Sequence, residues 1–316
     1  MSQGPFRSAG IATVAIVGGG LIGGAWAAFF LSRGLAVRVH DPRPDAEVAI
    51  RPIIEQALAD LAQLSSLPTI PPAALQFCAE LEGAVGPADY VQENAPEVLE
   101  LKQALLARID EIAAADVLIG SSTSSLRATD LQRDCGHPER VLVAHPFNPP
   151  HLVPLVELVR GDKTASEAQE AAYAWFERLG KAPIRVAKEA RGHVANRMSS
   201  ALWREAVHIV AEGIASVEDV DRAIRFGPGL RWAVDGPHML YHLGGGAGGM
   251  AAYLDHLGPA QEARWAELGA PALDGRTREM LVAGVADEAK GRTISTLAAA
   301  RDRRLIAVLQ ALDETP

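Results

Sequence analysis

His145 closes the apolar run Val141-Leu142-Val143-Ala144-His145, and Glu157 lies twelve residues further on, inside a second apolar run, Leu155–Val159. An imidazole titrates near neutrality, so it can take a proton during a reaction and later return it. A lone carboxylate in an apolar strand is costly unless it is paired. His145 is the obvious partner: Glu157 would hold one ring nitrogen as N–H and leave the other free to accept a proton. The plain alternative is a strand-end histidine and a glutamate on an edge strand.

A second constellation lies near the N-terminus. Gly18-Gly19-Gly20-Leu21-Ile22-Gly23 follows the run Val14–Val17 and opens a helical pattern. In that setting Gly18 permits a tight turn, Gly20 the close approach of a pyrophosphate, and Gly23 the close packing of helix on strand. The first helical residues, Leu21 and Ile22, would offer N–H groups to the phosphates. Asp41 ends the next apolar run, eighteen positions after Gly23. A carboxylate there accepts bonds from both ribose hydroxyls and repels a 2′-phosphate, which favours NAD over NADP. Arg43, close by, weakens that preference slightly, and FAD stays open as a competing dinucleotide. A structural glycine turn with a solvated Asp is the other reading.

These groups need elements to hold them. Strands are expected at Val14–Val17, Val37–His40, Tyr90–Glu93, Val117–Ser121, Val141–His145, Leu155–Val159 and Ile184–Ala187. Helices are expected at Leu21–Arg33, from Arg43 to about Leu64, from Pro96 to about Ala114, and at Ser166–Leu179 with a capping box Ser166-x-x-Gln169. Such alternation implies an α/β Rossmann domain, a mostly parallel doubly wound sheet covered on both faces. From about Gly192 the β-branched runs vanish, and helical spacing predicts helices over His193–Glu212, Val217–Arg225, Arg231–Leu243, Gly249–Leu257 and Arg276–Leu312. Gly244–Gly249 is expected as a loop. The chain therefore reads as a nucleotide-binding domain over 1–190 and an all-α C-terminal domain over 191–316.

Composition narrows the partners. Thirty basic against 39 acidic residues give a net charge of −9 over 316 residues, a poor match for nucleic acid or an anionic membrane. Two isolated cysteines, Cys78 and Cys135, suggest a reducing cytoplasm and no cysteine-based metal site. His238 and His242 share an i, i+4 spacing, but a metal site would need further ligands, and none is expected. The uncharged stretch Ile11–Ser32 has a length that could span a bilayer, but the five glycines in its middle argue against that. The tail Met1–Gly10, with one Arg and no cleavage motif after the run, does not read as a signal peptide.

The segment His145-Pro146-Phe147-Asn148-Pro149-Pro150, the spacing to Glu157, Ser121-Ser122-Thr123-Ser124-Ser125-Leu126 and Gly192-His193-Val194-Ala195-Asn196-Arg197 together resemble the L-3-hydroxyacyl-CoA dehydrogenase superfamily over nearly the whole chain. The resemblance implies an NAD-dependent oxidoreductase acting on a 3-hydroxy acid. It makes His145 the catalytic base, Glu157 its orienting carboxylate, and Ser124 the hydroxyl that bonds the reacting oxygen. Asn196 becomes an amide that helps fix substrate and transition state. Glu93 and Lys102 fall where the family contacts its cofactor, and a homodimer formed through the helical domain is implied.

Gly227–Pro237 and Tyr241–Met250 look more like the short-chain branch of L-carnitine and L-gulonate 3-dehydrogenases, with carnitine the favoured substrate. Arg231 could clamp a free carboxylate, which a thioester does not offer. Trp232 and Tyr241, with Tyr253, Trp265 and Asp235 near in sequence, could hold a trimethylammonium by cation–π attraction. The substrate is expected between the two domains. L-gulonate and 3-hydroxyacyl-CoA remain alternatives, as does a non-catalytic nucleotide-sensing or crystallin-like protein.

Overall fold

A computed structural model describes residues 5–313, so the first four residues of the N-terminal tail and the last three of the chain lie outside it. The chain divides into two compact units. The first runs to Arg197 and also takes in Asp302–Gln310; the second is built from Met198–Arg301.

In the first unit, strands and helices alternate: β1 (Thr13–Val17), α1 (Leu21–Ser32), β2 (Ala36–His40), α2 (Ala46–Leu61), β3 (Leu75–Cys78), α3 (Leu81–Val85), β4 (Tyr90–Glu93), α4 (Leu99–Ile112), β5 (Leu118–Ser121), α5 (Ala128–Leu131), β6 (Val141–Pro146), β7 (Leu155–Arg160), α6 (Ser166–Arg178) and β8 (Ala182–Val186). They form one sheet in the order β3-β2-β1-β4-β5-β6-β7-β8. All its pairings are parallel except β6 with β7. The order reverses between β1 and β4, which places a ligand crevice outside the carboxyl ends of those two strands.

Each face of the sheet has its own core. On one face α1 is buried almost entirely, and Trp26 stacks on Phe30 at 5.2 Å while Phe30 stacks on Trp175 at 5.5 Å. The uncharged stretch 11–32 is thus a buried strand and helix, and among the described residues no helix is long and apolar enough to cross a membrane. On the other face Leu106, Ile109 and Leu131 pack on Val91, Ile119 and Val143.

Several expectations need correction. β3 and α3 were not expected, because the proline-rich stretch before them reads as a break. α4 starts at Leu99, so Pro96 sits in the preceding loop rather than in the helix. The expected capping box of α6 does not form: Ala165 is the N-cap, the Ser166 hydroxyl donates to Glu167, and the Gln169 amide donates to the Leu158 carbonyl on β7.

The remaining helices are α7 (Ala195–Ala211), α8 (Val217–Phe226), α9 (Pro228–Trp232), α10 (Pro237–Gly244), α11 (Gly249–Glu267), α12 (Gly275–Ala289) and α13 (Ile294–Asp313). The expected helix Arg231–Leu243 is broken before Pro237, whose fixed φ suits the first turn of α10. The expected helix Arg276–Leu312 is broken at Lys290 and Gly291, both in the left-handed region. Gly246–Gly248, expected as loop, form one tight helical turn. The middle of α13 belongs to the first unit because Ile306 is buried and the Gln310 amide donates to the Gln63 carbonyl at 2.7 Å.

Candidate active site

The glycine turn meets the requirements read from the sequence. Gly18 has φ +94°, and a Cβ there would lie 2.7 Å from the Asn94 carbonyl carbon. At Gly23 a Cβ would lie 2.0 Å from the Gly18 carbonyl oxygen, so α1 approaches the end of β1 as closely as it does only because Gly23 lacks a side chain. Gly20 faces open space. Leu21 is exposed, whereas Ile22 packs against the core.

Gly18, Gly20, Asp41, Arg43, Asn94 and Pro96 line a cleft of about 690 Å³ at the crevice. Asp41 Oδ2 accepts the Gly19 N–H at 2.8 Å, and Oδ1 accepts the Arg43 Nε–H at 2.8 Å. Burial raises the Asp41 pKa, but the bonds from Arg43 and Gly19 outweigh it and hold the carboxyl at about 2. The carboxylate is therefore an anion at any working pH, and Arg43 is paired with it. An open glycine, a fixed carboxylate and a helix N-terminus on one crevice fit a dinucleotide.

Glu93 and Lys102 are fully buried beneath this cleft. Lys102 Nζ donates to both Glu93 oxygens at 2.7 and 3.0 Å, and Glu93 Oε1 also accepts the Ala95 N–H. The pair therefore reaches the cleft through the backbone it fixes at Ala95, which is one of the lining residues.

His145 and Glu157 are direct register partners on antiparallel β6 and β7. His145 Nδ1 and Glu157 Oε2 are 2.8 Å apart, and both side chains are buried. Glu157 Oε1 accepts the backbone N–H groups of Val194 and Ala195 at 2.8 and 2.9 Å. Burial pushes the Glu157 pKa up, but the His145 bond and the two amides more than offset it, so the carboxyl stays below its ordinary range. An ionised Glu157 fixes the proton on Nδ1 and leaves Nε2 as the proton acceptor. That is the tautomer a general base requires.

Ser124 is exposed on the loop after β5. Its backbone N–H is held by Glu97 Oε1 at 3.0 Å; the same oxygen accepts the Thr123 hydroxyl and both the N–H and the hydroxyl of Ser125. Glu97 was not singled out from the sequence, because its partners exist only once this loop folds back over the start of α4. His193 was missed for the same reason: its Nε2 lies 3.1 Å from the Thr123 carbonyl oxygen. Asn196 lies in the first turn of α7, one residue after the amide that holds Glu157.

Arg231, Trp232 and Tyr241 belong to the second unit and are exposed. Tyr241 packs on Tyr253 with ring centroids 4.9 Å apart. His242 accepts the Met250 N–H at Nδ1, so it closes the glycine-rich turn rather than pairing with His238. Among the described residues no cluster of three or more His, Cys, Asp or Glu is placed to hold a metal ion.

Comparison with known proteins gives a consistent picture. Residues 13–190 match the family described as 3-hydroxyacyl-CoA dehydrogenase, NAD binding domain, and residues 192–286 match its C-terminal domain. The chain is 48% identical over 298 residues to an L-carnitine dehydrogenase of Streptomyces coelicolor, covering 94% of both chains. It is 45% identical to an L-carnitine dehydrogenase of Pseudomonas aeruginosa, covering 96% of this chain and 95% of the relative. Among solved structures it is similar to the NAD+-dependent dismutase 5-formyl-3-hydroxy-2-methylpyridine 4-carboxylic acid 5-dehydrogenase. The TM-score is 0.83 at 30% identity, with 97% of this chain and 100% of that one covered.

Proposed function

The chain belongs to the 3-hydroxyacyl-CoA dehydrogenase family of NAD-dependent oxidoreductases acting on a CH–OH group, and on that footing we propose that it oxidises L-carnitine to 3-dehydrocarnitine. What carries the chemistry is the His145–Glu157 pair with its proton fixed on Nδ1. What favours carnitine is that relatives bearing that name are similar along nearly the full length.

In this reading His145 Nε2 takes the hydroxyl proton of the substrate. Glu157, anionic and unable to turn, stabilises the imidazolium that results. The Ser124 hydroxyl and the Asn196 amide bond the substrate oxygen as negative charge grows on it, a preorganised electrostatic effect. Bound NAD+ supplies the acceptor for the hydride that leaves the carbinol carbon. Asp41, Gly18, Gly20 and the N-terminus of α1 hold that cofactor, with Glu93 and Lys102 fixing the backbone beneath it. Arg231 is assigned to the substrate carboxylate, and Trp232 and Tyr241 to the trimethylammonium, on the chemistry of those side chains.

Two further features belong to the proposal. The protein acts as a homodimer joined through its helical unit, which is supported by exposed Met198, Trp203, Ile214 and Phe226. It works in the cytoplasm, which is supported by Cys78 and Cys135 both standing as unpaired thiols.

The test is NADH formation by the purified protein on L-carnitine, D-carnitine, L-gulonate, 3-hydroxybutyrate and 3-hydroxybutyryl-CoA, each with NAD+ and with NADP+. Turnover of L-carnitine with NAD+ is expected. Turnover of the thioester alone removes carnitine and the Arg231 assignment together.

A further inference from the structure

His193 is 2% exposed, stands beside the catalytic pair and takes no part in the proton path above. Its φ of +49° lies in the left-handed region, which is uncommon for a residue with a side chain and is retained where the surroundings demand it. A carbonyl oxygen only accepts, so the 3.1 Å contact to Thr123 puts the His193 proton on Nε2. Nδ1 is then a buried lone pair with no partner among the described residues.

The ring lies 5.2 Å from that of His145, centroid to centroid. On one side it touches the residue before Ser124. On the other, the next two residues of its own backbone, Val194 and Ala195, hold Glu157. Both arms of the site therefore meet at one residue, the Ser124 loop through its ring and Glu157 through the backbone that follows it.

We propose that His193 is a positioning residue for the oxidation: its Nε2–H bond to the Thr123 carbonyl keeps the Ser124 loop in register with the turn that holds Glu157. This rests on the dehydrogenase reading above. A phenyl ring would fill the same space and leave the Thr123 carbonyl unpaired, whereas a glutamine amide can still donate to it. The histidine is suited to the place because it stays neutral. Burial lowers its pKa and the facing His145 lowers it further, against the opposing pull of the Thr123 carbonyl, Glu157 and Glu97. A neutral neighbour does not oppose the positive charge that His145 gains.

The experiment compares H193F and H193Q in the full-length protein. In H193F, kcat is expected to fall about tenfold or more, with ~1.4 kcal/mol per tenfold, while the Kd for NAD+ stays at the parent value. H193Q is expected to recover to within about threefold of the parent, as a retained donor allows. A kcat for H193F equal to that of the parent, or a glutamine no better than phenylalanine, overturns the proposal. If the parent oxidises none of the hydroxy acids, the functional reading falls instead, and nitrogen NMR of labelled histidine in the parent decides the placement. A neutral Nε2–H imidazole at His193 near neutral pH supports it; a cation or the Nδ1–H tautomer overturns it.

Discussion

Both oxygens of Glu157 are committed, Oε2 to the His145 N–H and Oε1 to the Val194 and Ala195 amides. An amide in its place has one acceptor and one donor. If its oxygen stays on the two backbone amides, its NH2 donates to Nδ1 and shifts the His145 proton to Nε2. If its oxygen turns to His145, its NH2 opposes two N–H groups. E157Q therefore loses either the accepting nitrogen of the base or the hold on the turn. The expected result is a loss of about 10²–10⁴ in kcat, the range associated with general base catalysis, with NAD+ binding unchanged. A direct binding measurement run beside the NADH assay separates the two. Stability carries a matching pH signature. The folded pKa of Glu157 is depressed, so its contribution is present above the ordinary carboxylate range and is lost as pH falls through the lowered value. The unfolding midpoint of E157Q should therefore lack part of the parent's acid-side decline. His145 and Glu157 were legible in the sequence because a short antiparallel connection turns a spacing of twelve into direct opposition. Glu97 and His193 were not, because each answers to backbone groups of residues 123–125 that no spacing reveals. Arg43 looked like a threat to NAD preference and proves to be the partner of Asp41.

At the scale of elements, the strands that carry the site stood out because each is a short apolar run bounded by turn residues. β3 escaped because Leu75–Cys78 is only partly buried at the sheet edge and follows three prolines. The broken helices escaped because periodicity continues across a break that only backbone geometry shows, as at Lys290 and Gly291. One element contact bears directly on the site. Lys181, in the turn between α6 and β8, is buried and donates to the carbonyls of Pro150 and Val153, in the loop that joins β6 to β7. It also lies 4.1 Å from the centroid of the Phe29 ring. Burial, with Arg33 adding, lowers its pKa from 10.5 to about 7. Between those values the unfolded chain binds more protons than the folded one, so this lysine makes stability rise with pH from about 7 toward 10, by at most ~1.4 kcal/mol per pH unit. K181M removes that slope and leaves two carbonyls without their donor, at a cost of about 1–3 kcal/mol each. Urea midpoints at neutral and alkaline pH test both parts: the deficit of K181M should widen as pH rises. A constant deficit would mean that Lys181 keeps its ordinary pKa.

The whole molecule shows an imbalance between its two units. The sheet unit buries its large apolar side chains in two continuous cores, whereas the helical unit leaves many of its own exposed. On α7, Met198 and Leu202 stand four residues apart on one stripe with Trp203 next to Leu202 in sequence, and the three are 59%, 38% and 56% exposed. Exposed large apolar side chains are what the proposed dimer would bury. A second copy of the same unit presents the same face, and a twofold contact would be self-complementary. Net charge of −9 on each copy opposes association at long range, so added salt should strengthen the dimer rather than weaken it. Sedimentation should therefore give about twice 33.4 kDa. The W203E variant puts a charge into the apolar face and should sediment as a single chain. Because folding and pairing are then linked, the parent's unfolding temperature should rise with protein concentration and that of W203E should not. A parent that sediments as one chain at every concentration and salt level would remove the dimer. The exposed apolar face of α7 would then have to be explained by some other partner.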